Sequence, residues 1–153
     1  MACIKVAVGP YQDQGCLFRL IHKYIYPKAV YIGGMNIDPQ YASIEMEKVK
    51  SIWMQKQGVQ LFHFILSFSK AESDRFVNPN EARYIAYEIC EYFADKYQII
   101  FGIHPSTNLH IHFVINSVSF QDGIRFVSNN TSLYALKEHI SHTINHPVAL
   151  FFN

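Results

Sequence analysis

Residues 99–118 read IIFGIHPSTNLHIHFVINSV: two apolar runs surround a short polar stretch and carry three histidines, His104, His110 and His112. Ile99 to Ile103 and Leu109 to Val118 are rich in β-branched and aromatic residues and predict two strands. In a strand, side chains two apart share a face, so His110, His112, Val114 and Asn116 point one way and Ile111, Phe113 and Ile115 the other. The apolar set is the side expected to face helices, which leaves two imidazoles about 7 Å apart on the opposite side. His104, at the end of the preceding strand, is the obvious third. Three neutral imidazoles suit a borderline divalent metal and leave coordination positions open, as catalytic rather than structural sites do. Half-buried strand histidines with local hydrogen bonds would show the same spacing, so spacing alone reaches only a candidate metal site.

Working outward, Ile4 to Val8 alternates and stops at Gly9-Pro10, a strand. Leu17, Leu20, Ile21 and Tyr24 then recur at helical spacing and predict a helix that ends before Pro27. Ala29 to Ile32 reads as a short strand closed by Gly33-Gly34. Asp38 before Pro39 looks like a helix N-cap, with Ile44, Val49, Ile52 and Trp53 as the apolar face. Leu61 to Phe68 (LFHFILSF) is too apolar for a surface strand. Asn78-Pro79 starts a long helix that buries Ala82, Ile85, Ala86, Ile89, Cys90 and Phe93 and ends near Tyr97. Beyond the histidine strands, a turn at Gln121-Asp122-Gly123 leads to a strand at Ile124 to Val127. Thr131 to Asn145 is a last helix, and Val148 to Phe152 is an edge strand or the start of a further element. The order implies an α+β fold, a largely antiparallel sheet with helices packed on one face.

Half of the 153 residues are hydrophobic and only 16% are charged, which describes a core-rich domain spanning 1–153. Thirteen basic against 12 acidic side chains leave a net charge of +1, so any nucleic-acid partner must be held by a local patch. The three cysteines have no metal or redox spacing and read as buried thiols of a reducing compartment. No apolar stretch is long enough to span a bilayer and no leader is recognisable, so a cytoplasmic protein without membrane contact is expected.

The stretch IHPSTNLHIHFVINSVSFQDGIRF resembles the metal-binding motif of relaxases, the plasmid mobilisation nucleases of the HUH endonuclease superfamily. Its His-hydrophobe-His pair is His110-Ile111-His112, with His104 as the upstream third ligand and Asn116 at the Asn that follows. LFHFILSF resembles the strand that ends in Ser-Phe, here Ser67 and Phe68. LIHKYIYPK resembles the motif around the nucleophilic tyrosine, which points to Tyr24, with Tyr26 as an outside candidate. The loop between His104 and His110 is one residue shorter than usual, and Ser106 stands near where many relatives carry an acid.

The resemblance implies a relaxase catalytic core of single-tyrosine type, a metal-dependent enzyme that nicks single-stranded DNA at a transfer origin. A tyrosine would form a covalent 5′-phosphotyrosyl intermediate that can be religated, in plasmid mobilisation or conjugation. It implies Mg²⁺ or Mn²⁺ on His104, His110 and His112, single-stranded DNA as partner, and accessory mobilisation proteins. Asn116, His63 and Ser67 are candidates for supporting the ligands, and Lys23, Lys28 and Arg125 for contacting DNA. Arg19 is a weaker basic candidate, and Tyr26, Tyr31 and Phe120 are candidate stacking faces. Relaxases commonly continue into further regions, so the chain also reads as the N-terminal part of a longer protein. Two other readings stay open: a DNA-binding module with a relaxase fold that has lost turnover, and a nuclease that uses metal-bound water.

Overall fold

The two histidine strands lie side by side near the middle of one sheet. In the computed structural model, which describes residues 1–75 and 79–152, the sheet contains β1 (Ala2–Ala7), β2 (Tyr31–Met35), β3 (Leu61–Ser67), β4 (Ile99–His104), β5 (His110–Asn116) and β6 (Val148–Phe152). The strand order is β2-β4-β5-β3-β1-β6. Every neighbouring pair is antiparallel except β1 with β6, which runs parallel. Val148 to Phe152 is thus an edge strand.

Two helices cover one face, α4 (Pro79–Phe93) and α5 (Asn130–Ile144). Ala82, Ile85, Ala86, Ile89, Cys90 and Phe93 of α4 are all buried, as their 3.6-residue period requires. They meet Ile111, Phe113 and Ile115 of β5 together with Phe64 and Phe101 from its neighbours. Phe64 stacks on Phe113 with ring centroids 4.7 Å apart, and burying each such ring is worth about 1.5–3 kcal/mol. The residue expected to cap α4, Asn78, lies outside the described residues, and the helix ends at Phe93, short of Tyr97. A reciprocal cap between Asn129 and Ser132 starts α5.

The expected α+β layout is present, and the structure adds a second helical layer on the other face. A helical run over 16–28, α1, and the helix α2 (Ala42–Ile52), entered through a turn at Pro39–Tyr41, pack there. Leu17, Ile21, Ile25, Ala42 and Met46 meet Leu61, Ile100 and Val114 in a smaller core. Asp38 caps the entry turn, its carboxylate accepting from the Gln40 N–H. A short helix, α3 (Lys70–Ser73), follows β3.

Four local expectations are corrected. First, α1 does not stop before Pro27: it opens as an α-turn at Cys16–Phe18, widens to a π-helix over Arg19–Ile25 and closes at Tyr26–Lys28. The wider turn moves the buried stripe to Leu17, Ile21 and Ile25, so Tyr24 leaves the core and is 45% exposed. Second, Gly33-Gly34 lies inside β2, where an added Cβ would sit 2.6 Å from the Phe101 ring or 2.5 Å from the Ile99 carbonyl.

Third, α2 buries Ala42, Ser43, Met46 and Lys50, leaving Ile44 and Ile52 exposed. The cause is polar: Lys50 donates to the Asn116 side-chain oxygen, and the Asn116 amide donates to the Met46 carbonyl. Fourth, Ile124 to Val127 forms only a single antiparallel bridge, Val118 to Arg125. The Arg125 side chain is drawn off to the carbonyls of Gln55, Gln57 and Val59.

Candidate active site

The β4–β5 register brings the three histidines together. His104 is the cross-strand partner of His110, and His112 faces Gly102. Ring centroids are 4.4 Å apart for His104 and His112, 5.0 Å for His104 and His110, and 5.3 Å for His110 and His112. One ring nitrogen from each lies within 4.8 Å of the others. The cluster sits on the α1 side of the sheet. Gly102 is what lets α1 approach, since a Cβ there would stand 2.6 Å from Ile25.

Each imidazole has one nitrogen engaged and one left for a ligand. His104 donates from Nε2 to the Ile25 carbonyl at 2.8 Å, and His110 donates from Nδ1 to the Asn108 carbonyl at 3.1 Å. His112 Nδ1 lies 2.9 Å from Nε2 of His63, whose Nδ1 is 3.0 Å from the Tyr11 hydroxyl. This leaves His104 Nδ1 and, with the matching tautomer, Nε2 of His110 and His112 for an ion.

Burial disfavours the charged form of His104, His112 and His63. It lowers His104 despite the helpful Ile25 carbonyl, and it lowers His112 to about 2 with help from the neighbouring imidazoles and Lys28. His63 is pushed down to about 4 by burial. Neutral His104 and His112 can bind a divalent metal without competition from protons at neutral pH.

Tyr24 faces this cluster. Its ring centroid is 5.7 Å from that of His112 and 6.5 Å from that of His104. Lys28 holds its ammonium 4.6 Å from the Tyr24 ring centroid, on the helical turn that follows. The outside candidate, Tyr26, donates its hydroxyl proton to the Pro39 carbonyl at 2.7 Å, and burial raises its pKa. It is tied away from the site.

The other named residues divide. His63 joins the cluster, and Ser67 is the cross-strand partner of His110. Asn116 shares their sheet face but lies four residues beyond His112, bound to Lys50, Met46 and Gln98. Its role is to fix α2 on the sheet, and it does not touch the ligands. Lys23 is exposed, its ammonium 5.5 Å from the Phe18 ring centroid on α1. The Arg125 guanidinium holds the 55–59 loop through Gln55, Gln57 and Val59. Arg19 pairs with Asp13 at 2.5 Å. Tyr31 bonds Tyr87 on the α4 side and Phe120 receives the Trp53 indole N–H, so neither lies at the cluster. Ser106 donates to the Asn108 carbonyl inside its own loop. Tyr11 is the site residue that sequence reading missed: it follows the Gly9-Pro10 turn with no periodicity to mark it.

Comparison with known proteins adds the family. A model described as "Relaxase: MobA/VirD2-like, nuclease domain" matches residues 25–145, a span that holds all three histidines and begins one position after Tyr24. The chain is similar to "Protein rlx" of Staphylococcus aureus, at 28% identity over 107 residues, covering 69% of this chain and 33% of the relative. A second Staphylococcus aureus "Protein rlx" is 25% identical over 130 residues, covering 81% and 38%. The chain thus spans about a third of the length of these relatives. No solved structure matches significantly. Among the described residues no helix is long and apolar enough to cross a membrane.

Proposed function

The chain belongs to the MobA/VirD2-like relaxase nuclease family, and from that premise we propose that it nicks one strand of DNA at a transfer origin with Tyr24 as nucleophile. The observation that carries the reading is the meeting of an exposed Tyr24 with the three-histidine cluster, whose ring centroids lie 5.7 and 6.5 Å away. In the reaction the Tyr24 oxygen forms a bond to the scissile phosphorus as the bond to the 3′-oxygen breaks. The products are a 5′-phosphotyrosyl linkage and a free 3′-hydroxyl. One phosphoester replaces another, so the step reverses without a nucleotide cofactor.

His104, His110 and His112 would hold a divalent ion, Mg²⁺ or Mn²⁺. When bound, such an ion supplies positive charge to the non-bridging oxygens and orients the phosphate. Imidazole prefers softer ions than Mg²⁺, so Mn²⁺ is expected to bind more tightly. The protein's own part is to prepare the site. The Ile25 and Asn108 carbonyls fix two ligand rings, Lys28 adds positive charge beside Tyr24, and the π-turn of α1 keeps the Tyr24 ring out of the core. Accessory mobilisation proteins would deliver the origin DNA.

The test is incubation with Mn²⁺ and labelled single-stranded oligonucleotides, read on a denaturing gel. Label that migrates with the protein and disappears in Tyr24→Phe supports the tyrosine mechanism. Free cleaved ends that persist in Tyr24→Phe would replace it with attack by water. Retained binding without any cleavage would replace it with a binding module.

A further inference from the structure

Behind His112 the hydrogen-bond chain continues through His63 to the Tyr11 hydroxyl, with spacings of 2.9 and 3.0 Å. The sequence builds this reach deliberately. The Tyr11 N–H donates to the Gly9 carbonyl at 2.8 Å, and Gly9 has no Cβ, which would otherwise stand 2.9 Å from the Tyr11 ring. The Gln60 N–H then binds the Tyr11 carbonyl at 2.7 Å and ties the turn to the start of β3, the strand that carries His63.

A chain of two neutral imidazoles and a hydroxyl can run in two directions. In one, Tyr11 donates to His63, His63 donates to His112 Nδ1, and the proton of His112 sits on Nε2, where it blocks a ligand. In the other, His112 donates from Nδ1 to His63, His63 donates from Nδ1 to the Tyr11 oxygen, and His112 Nε2 offers its lone pair. The second direction is open only while something accepts the proton on His63 Nδ1. His63 is 3% exposed, so without that acceptor a buried N–H would be left unpaired, which is rarer in proteins than an unfilled lone pair.

We propose that Tyr11 is a positioning residue of the metal centre: as acceptor for the His63 Nδ1–H, its hydroxyl lets His112 present Nε2. The assignment rests on the three-histidine reading above. Burial, helped by the nearby Cys16 and Tyr24, raises the Tyr11 pKa, so the hydroxyl stays protonated and neutral through the working pH range. Metal loading then turns Tyr11 from donor to acceptor toward His63, with no net gain or loss of protons along the chain.

The test is Mn²⁺ titration of metal-free wild type, Tyr11→Phe, His63→Phe and the double variant, with thermal unfolding of each alongside. The expected result is saturable binding by wild type, roughly 10- to 100-fold weaker binding by Tyr11→Phe, and a double variant no weaker than His63→Phe alone. Unchanged affinity in Tyr11→Phe, or losses that add, would overturn the assignment and leave the three-histidine site intact. No saturable binding by wild type would remove both. Long-range ¹⁵N–¹H spectra of the wild type loaded with Zn²⁺ give a readout that packing does not move. A proton on His63 Nδ1 supports the assignment whatever the variants do to folding, and a proton on His63 Nε2 overturns it.

Discussion

Tyr24 and Tyr26 stand two positions apart on the same helical run, yet one is 45% exposed beside the histidines and the other is bonded to the Pro39 carbonyl. Tyr24→Phe is therefore expected to abolish covalent DNA adduct without loss of stability. Tyr26→Phe should keep adduct formation and lose about 0.5–1.5 kcal/mol of stability with its hydrogen bond, which urea unfolding would measure. His63 gives a pH prediction. Its ordinary value is 6.5 and burial lowers it to about 4. Between those values the unfolded chain binds a proton that the folded chain refuses, so stability declines as pH falls from about 6.5 and the loss is complete below about 4. Urea unfolding from pH 4 to 7 should show that slope, and His63→Phe should make it shallower while His104 and His112, also lowered by burial, keep their share; an unchanged slope would mean that other groups carry the acid sensitivity.

At the scale of elements, β3, α4, β4 and β5 were legible because their side chains obey a single rule, period two or period 3.6 against an apolar layer. Where a second demand intervenes, the pattern misleads. The apolar residues of α2 pointed to Ile44 and Ile52, but the bond from Lys50 to Asn116 turns the helix the other way. In α1 the π-turn shifts the stripe by one residue, and no spacing rule for α-helices foresees that. Strand alternation put His110 and His112 on one face and the end of the preceding strand offered His104 as a candidate third ligand, whereas His63 as partner of His112 needed the β3–β5 register, and Tyr11 needed the tertiary fold. Lys50 gives this scale its own prediction. Burial lowers its ammonium to about 7 from 10.5, so the penalty is full below about 7 and stability rises with pH toward about 10.5. Lys50→Met should remove that rise in denaturant unfolding. Gly102→Ala should push Ile25 away, costing about 1–3 kcal/mol and weakening Mn²⁺ binding, because the Ile25 carbonyl holds His104.

Across the whole molecule the two faces of the sheet divide the work. The α4–α5 face holds the larger aromatic core, and the α1–α2 face carries the buried Lys50, His63, His104 and His112 with the site. Phe113→Ala on the first face should cost about 3–5 kcal/mol, while DNA nicking by the remaining folded fraction stays near wild type. Net charge is only +1 and Arg19 and Arg125 are engaged elsewhere, so DNA affinity should fall only gently with salt, with a logarithmic slope of about −2 from a few phosphate contacts. A steep slope would place much of the contact surface beyond the Lys23 and Lys28 region. The proposed attack of Tyr24 on DNA takes place beside a metal held by His104, His110 and His112. Its most direct measurement is the denaturing gel of labelled single-stranded DNA with Mn²⁺, run for wild type, Tyr24→Phe and His110→Ala. Label bound covalently to wild type and absent from both variants is the predicted result. An adduct that survives Tyr24→Phe, or cleavage that leaves only free ends, would contradict it.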